Sequence, residues 1–208
     1  MKKIIVLFFL SLSSFCCTQS KETPSLTDDL KSRIAKGELT SQKILLDAAY
    51  MNIHHTDAFR DIIKTNAPAE FIKISNDDEE GEKIKAKFIF KDAAGNSLAN
   101  TLIYLYHTDN KGYYGEHKNP GLFGYVNTNA EGKIEVETIR PAGYPNSGAP
   151  QHIHFEIEKY NYVSEVLFND DKRLTKDLKK DMLSHGAYVS SFDYSGKIPT
   201  IEYNITVK

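Results

Sequence analysis

The feature that most constrains this chain is an alternation of apolar and polar residues that sets in near residue 84 and returns until the last residue. In "KIKAKFIFKD" Ile84, Ala86, Phe88 and Phe90 alternate against lysines, and in "TIEYNITVK" Ile201, Tyr203, Ile205 and Val207 repeat the pattern. Successive side chains of a β-strand point to opposite faces, so stretches of this kind bury one face and leave the other polar. "LANTLIYLYHT" is apolar on both faces, and "EGKIEVETI", "HIHFEIE" and "YVSEVLF" add further strands between turn signals such as "AAGNS" and Glu131–Gly132. Short strands with no crossover helices predict a mainly β fold, an antiparallel β-sandwich over residues 84–208. No internal repeat is present.

Ahead of this region the period is helical. Residues 26–74 read as a short helical N-terminal segment: Thr40 or Ser41 can cap one helix, and Thr56 a second that carries Phe59, Ile62 and Ile63 before Pro68 stops it. The acidic run "SNDDEEGEK" reads as a solvated connection, and "NDDKRLTKDLKKDM" as a solvated helix with Asp170 and Asp171 at its start. A chain of 208 residues, 40% apolar, is long enough for one domain with an appendage. A formal charge of −2 gives the body no electrostatic reason to bind nucleic acid or a membrane surface.

The first residues, "MKKIIVLFFLSLSSFCCTQS", pair two lysines with an apolar run too short to span a bilayer, which reads as a secretory signal over 1–17 followed by a tether over 18–25. Its end at Cys16 and Cys17 resembles a bacterial lipoprotein signal, which implies an exported protein anchored by a lipid on one of these cysteines, on the periplasmic or cell-surface side. Both cysteines of the chain lie here, so the folded body is expected to form no internal disulfide.

His152 and His154, in "PQHIHFEIE", fall two apart on a strand and therefore share a face, so one metal ion could take both imidazoles. Alone the pair is weak, because Glu156 and Glu158 continue a polar face. Upstream, however, stand "DNKGYY" with Tyr114 and "TIRPAGYP" with Tyr144. This ordered set of Tyr114, Tyr144, His152 and His154 resembles the intradiol ring-cleavage dioxygenases, which carry a tyrosine in D-x-x-G-x-Y, a second in T-I-x-P-G-x-Y-P, and an H-I-H pair. The likeness covers about residues 95–170.

The resemblance implies one ferric ion per chain held by these four side chains, with an aromatic diol and dioxygen as the small-molecule partners. It implies that Tyr144 is also catalytic, leaving the metal to take a proton from the diol. Phenolates suit a ferric ion as hard oxygen donors, and neutral imidazoles complete a mixed set. The sequence departs from the pattern at Ala149, where the family has an arginine, at Glu165, where it has a glutamine, at Phe123 in place of an arginine, and in P-A-G-Y. Metal binding is expected to tolerate these changes better than turnover of catechol.

Two other readings compete. "NAEGKIEVETIRPAGY" also resembles transthyretin-like binding modules, in which the tyrosines are core residues without a metal. His152, His154 and Glu158 fit a cupin-like H-x-H-x-x-x-E spacing for a ferrous ion. His54 and His55 read as a polar helix junction, His107 as a strand-end residue that could line a pocket or support a ligand, and His117 and His185 as exposed. The G-x-Y spacing selects Tyr114 over Tyr113.

Overall fold

A computed structural model describes residues 22–115 and 117–208, and the stretch read as a signal sequence, with its two cysteines, lies outside them. Among the described residues the period-two stretches form ten strands: β1 (Phe71–Lys73), β2 (Lys83–Asp92), β3 (Leu102–His107), β4 (Leu122–Asn127), β5 (Lys133–Ile139), β6 (His152–Ile157), β7 (Tyr162–Phe168), β8 (Tyr188–Ser190), β9 (Phe192–Asp193) and β10 (Thr200–Val207). They build two sheets, ordered β1-β5-β2-β10-β9 and β4-β3-β6-β7-β8. Phe88 and Phe90 of the first sheet meet Phe155 of the second at ring distances of 6.5 and 5.6 Å, and all three are fully buried. Tyr203 of β10 closes the layer by donating its hydroxyl to the Leu167 carbonyl on β7, at 3.1 Å.

The mainly β sandwich is as expected, but the sheets are mixed rather than uniformly antiparallel. β1 with β5, β10 with β2, and β7 with β8 pair in parallel. Only strands joined by a tight turn are forced antiparallel. β2 and β10 come from opposite ends of the sandwich sequence, so no turn sets their direction and the last strand fills the open side of β2 along its length.

Among the described residues four α-helices accompany the sheets: α1 (Glu22–Ala35), α2 (Ser41–Leu46), α3 (Asp57–Thr65) and α4 (Lys176–Ser184), with a 3-10 turn at Ala48–Ile53. Thr40 caps α2 by accepting from the Lys43 amide, and Thr56 caps α3 by accepting from the Phe59 amide, each at 3.3 Å. α3 buries Phe59, Ile62 and Ile63 in the same core as the strands. β1 falls inside the stretch read as helical, because Phe71–Lys73 finds a free edge on β5. The start of α4 also differs from expectation: Thr175, not Asp170 or Asp171, caps it. Asp170 is engaged elsewhere, accepting from both terminal nitrogens of Arg140 at 3.0 and 2.7 Å, a charge-assisted fork stronger than a cap.

Helices shelter the outward face of the second sheet at both ends. On one side the Arg60 guanidinium of α3 lies 3.7 Å above the ring centre of Phe123 on β4. On the other, Leu167 of β7 is buried with Leu174 and Ala187 beneath Leu178 and Met182 of α4. Between these covers the face carries Tyr104, Tyr106, His152, His154 and Glu165.

Candidate metal centre

β6 places the histidines. Ile153, Phe155 and Ile157 point into the core, which turns His152 and His154 outward together. The Nδ1 of His152 lies 2.7 Å from the Pro150 carbonyl, which can only accept. Nδ1 therefore carries the proton, and the lone pair of Nε2 faces His154. Their Nε2 atoms stand 3.0 Å apart.

The tyrosines arrive on loops. The β3–β4 connection starts with a turn closed by Asp109, whose Oδ1 accepts from the amides of Lys111 and Tyr113 at 2.9 Å each. This turn is stitched to the β5–β6 connection: the Ala142 amide donates to the Asp109 carbonyl at 3.0 Å, and the Thr108 hydroxyl donates to the Ala142 carbonyl at 2.7 Å. Gly112 lies at the contact with φ +90°, and a Cβ there would stand 2.5 Å from the Gly143 carbonyl. Glycine answers both demands, the left-handed backbone and the close approach. The docked loops bring the Tyr114 and Tyr144 hydroxyls to 2.7 Å, and Tyr144 Oη to 3.1 Å from His152 Nε2.

The four expected residues thus form a continuous run of polar atoms, Tyr114 Oη, Tyr144 Oη, His152 Nε2 and His154 Nε2. Donor atoms around a single first-row ion at ~2.0–2.2 Å are themselves spaced about 3 Å apart, which is the spacing seen here. Two phenols and two imidazoles, with no thiol, are a hard to borderline set suited to iron. Burial pushes the Tyr114 phenol well above its ordinary value, and the hydrogen bond to Tyr144 adds to this. Burial lowers His154 to about 4, with the neighbouring His152 and His107 contributing, so it is neutral near pH 7 and offers a lone pair.

Glu165 also belongs to this place. It lies opposite His154 in the ladder, with Oε2 at 3.9 Å from His152 Nε2 and 4.0 Å from His154 Nδ1. His152, His154 and Glu165 each offer an atom within 4.8 Å of the others. The cupin-like spacing is corrected: Glu158 is 79% exposed at its side chain and pairs with Lys64 of α3 at 2.5 Å, since β6 ends before it and a 3-10 turn carries it away. Tyr113 is exposed, as the spacing implied.

The other histidines sort by burial. His107 is fully buried, its Nδ1 donating to the Thr108 carbonyl and its Nε2 accepting from Thr138 of the other sheet, both at 2.7 Å. This position supports the start of the β3–β4 loop. His54 is buried rather than part of a polar junction, stacked on Phe59 at 4.5 Å, because the 3-10 turn folds it under the helices. His117 and His185 are exposed.

Sequence reasoning missed Tyr106, whose ring stacks on His154 at 4.9 Å, and Tyr104, stacked on Tyr106 at 5.0 Å. Their period-two spacing in "LIYLYH" was the available signal, but strand pairing was needed to set Tyr106 opposite His154. Arg173 was missed as well. Its Nη1 donates to the carbonyls of Tyr144 and Ala149 at 3.1 and 3.3 Å and so holds the second tyrosine loop.

A two-sheet sandwich whose loops deliver two phenols to a pair of strand imidazoles defines a β-protein with a mixed oxygen and nitrogen centre. The dioxygenase family model matches residues 61–206, and the chain belongs to the intradiol ring-cleavage dioxygenase family. Among solved structures, the dioxygenase domain of a dioxygenase carbohydrate-binding protein fusion from Streptomyces sp. SirexAA-E is similar with a TM-score of 0.55 at 20% identity, over 70% of this chain and 91% of that one. Catechol 1,2-dioxygenase from Pseudomonas arvilla C-1 is similar with a TM-score of 0.53 at 15% identity, over 89% and 77%. An intradiol ring-cleavage dioxygenase from Tetranychus urticae gives 0.51 at 18% identity, over 65% and 85%. At these identities the likeness is one of fold.

Proposed function

We propose that Tyr114, Tyr144, His152 and His154 hold one ferric ion per chain, and that the site oxygenates an aromatic diol with dioxygen, opening the ring between the two hydroxyl-bearing carbons. The observation that carries this reading is the run of four polar atoms at 2.7, 3.1 and 3.0 Å in a chain of this family. When bound, the ion supplies a Lewis-acidic, redox-active centre for the diol and dioxygen.

The protein's own part is positioning and proton handling. Pro150 fixes the His152 tautomer so that Nε2 faces inward. Tyr144 Oη, between Tyr114 Oη and His152 Nε2, is placed to accept a proton from a diol hydroxyl. Tyr106 covers one face of His154 and keeps water from it. Arg173 holds the carbonyl end of the Tyr144 loop in place.

The test is a visible absorption spectrum of the iron-loaded protein before and after catechol in air, followed by product analysis. A phenolate charge-transfer band that shifts on catechol addition, then decays with formation of a muconate-type diacid, is the expected result. One observation favours a second reading, a ferrous site of His152, His154 and Glu165. In that case metal binds without a phenolate band, and Glu165→Gln loses it. We propose further, from the signal-like leader, that the protein is exported and lipid-anchored through Cys16 or Cys17. Incorporation of labelled palmitate that disappears when both cysteines are changed to serine is the expected result.

A further inference from the structure

The loop that carries Tyr144 is tied down by a segment outside the candidate centre. It runs over residues 140–151, from the end of β5 to the start of β6, and its base is closed where Arg140 Nε donates to the Gln151 side-chain oxygen at 2.9 Å. Against it lie residues 170–173, "DDKR", which follow β7. Asp170 takes the fork from Arg140. Asp171 accepts with both oxygens, Oδ2 from the Gln151 amide at 2.5 Å and Oδ1 from the Arg173 amide at 2.9 Å. Arg173 Nη1 donates to the Tyr144 and Ala149 carbonyls at 3.1 and 3.3 Å. Gly143 makes room for this contact: a Cβ there would overlap the Arg173 guanidinium and stand 2.5 Å from the Ala149 carbonyl.

Two features of this arrangement bear on the centre. First, it grips the loop beside both Tyr144 and His152: Arg173 holds the carbonyl of Tyr144, and Asp171, two residues away, holds the amide of the residue before His152. Charged donors and acceptors hold such backbone groups more firmly than neutral ones. Second, Asp171 and Arg173 bind this loop through backbone atoms alone. Among the described hydrogen bonds the Tyr144 phenol meets only Tyr114 and His152. The backbone is fixed and the ring is not.

We propose that residues 170–173 form a clasp that sets the spacing of Tyr144 and His152, with Arg173 as its positioning residue, so that the phenol is presented from a fixed backbone while its ring stays free to move. This rests on the ferric reading given above and goes beyond it by naming the residues that decide whether the second phenol reaches the site. The clasp touches neither metal nor diol and acts through Tyr144. The imidazoles do not depend on it, because pairing with β3 and β7 fixes β6. Opening the clasp therefore leaves His152, His154 and Glu165 together, a set that can still hold zinc.

The test compares Arg173→Gln with Lys172→Gln, which removes the same charge from the exposed neighbour inside the segment. Ferric and zinc affinities, the phenolate absorption band and circular dichroism are measured for each. In Arg173→Gln ferric affinity is expected to fall about 10–100-fold and the band to weaken, while zinc affinity changes by less than about threefold and the dichroism is unaltered. Arg173→Lys, whose ammonium can donate to the same carbonyls, should recover part of the band, and Lys172→Gln should match the unaltered protein. If Arg173→Gln does not fold, Asp171→Asn takes its place: its single side-chain oxygen cannot accept from both amides as the carboxylate does, and the same losses are expected at smaller size. An unchanged band and ferric affinity in the variant used, equal loss of zinc and ferric binding, or the same losses in Lys172→Gln would overturn the proposal and leave the ferric reading standing. An unaltered protein that takes up ferric iron without a phenolate band would end that reading and the proposal with it.

Discussion

The outward faces of the two sheets obey the same alternation and carry opposite chemistry. On the first sheet Lys85 of β2 bridges Glu135 and Glu137 of β5 at 2.7 and 3.3 Å, a cross-strand ladder of charges facing water. On the second, the equivalent row holds tyrosines, histidines and Glu165 between the walls made by α3 and α4. Alternation dictates which residues are buried and leaves the outer row free. What turns one outer row into a candidate centre is shelter: partial removal from water raises the Tyr106 phenol to about 12 and lowers His154 to about 4. On the first sheet the half-buried charges of Lys85, Glu135 and Glu137 neutralise one another at the water boundary, where such pairs contribute little.

The contrast can be broken most sharply at the proposed ligands. His154→Ala or Tyr114→Phe is expected to weaken iron binding by a factor on the order of 100 or more, since even residues that only support ligands change affinity 10–100-fold. Metal analysis after gel filtration, with circular dichroism to show an intact fold, checks it. A fold lost in Tyr114→Phe would favour the transthyretin-like alternative.

Gly112→Ala comes next. The left-handed backbone and the 2.5 Å approach to Gly143 predict a destabilisation of roughly 2–3 kcal/mol. Loss of the phenolate band should accompany it, with the first sheet unaffected; urea unfolding and the iron spectrum measure the two effects.

A third probe is pH. Burial, with the charge of Arg60 adding to it, lowers His54 from 6.5 to about 4. Between these values the unfolded chain binds a proton that the folded chain refuses, so stability falls as pH drops below about 6.5 and is unaffected above it. The contribution of His54 at pH 5 is a loss of about 2 kcal/mol, and His54→Phe, which keeps a ring on Phe59, should flatten the decline between pH 7 and pH 5 in denaturant midpoints. The smallest effect is expected on the first sheet, where Lys85→Ala should change stability by less than about 0.5–1 kcal/mol and leave iron binding as it was.

Much of the second sheet was legible because its strands announce themselves twice, by alternation and by motif. "HIHFEIE" gave both the strand and the outward pair. The tyrosines could be paired with the histidines only through an ordered resemblance, since their meeting depends on the docking of two loops at Gly112 and Gly143 that no local rule encodes. β1, β8 and β9 escaped because strands of two or three residues carry too little pattern. The parallel pairings escaped because direction is settled by long-range packing. Asp170 shows the same limit: a residue suited to a helix start is taken by Arg140, which only the fold brings near.

The two halves of the candidate centre are anchored to structures of different strength. The histidines belong to a central strand paired on both sides, whereas the tyrosines ride on two loops that hold each other. Local openings begin where the hydrogen-bonded framework is thinnest. The centre therefore has an order of failure. Mild heat or denaturant should release the phenols together, as one docked unit, and leave the imidazole pair in place. What remains is a nitrogen site with a different appetite for metals, one better matched to zinc than to ferric iron. Partial damage would then appear as exchange of the ion before any loss of the sandwich.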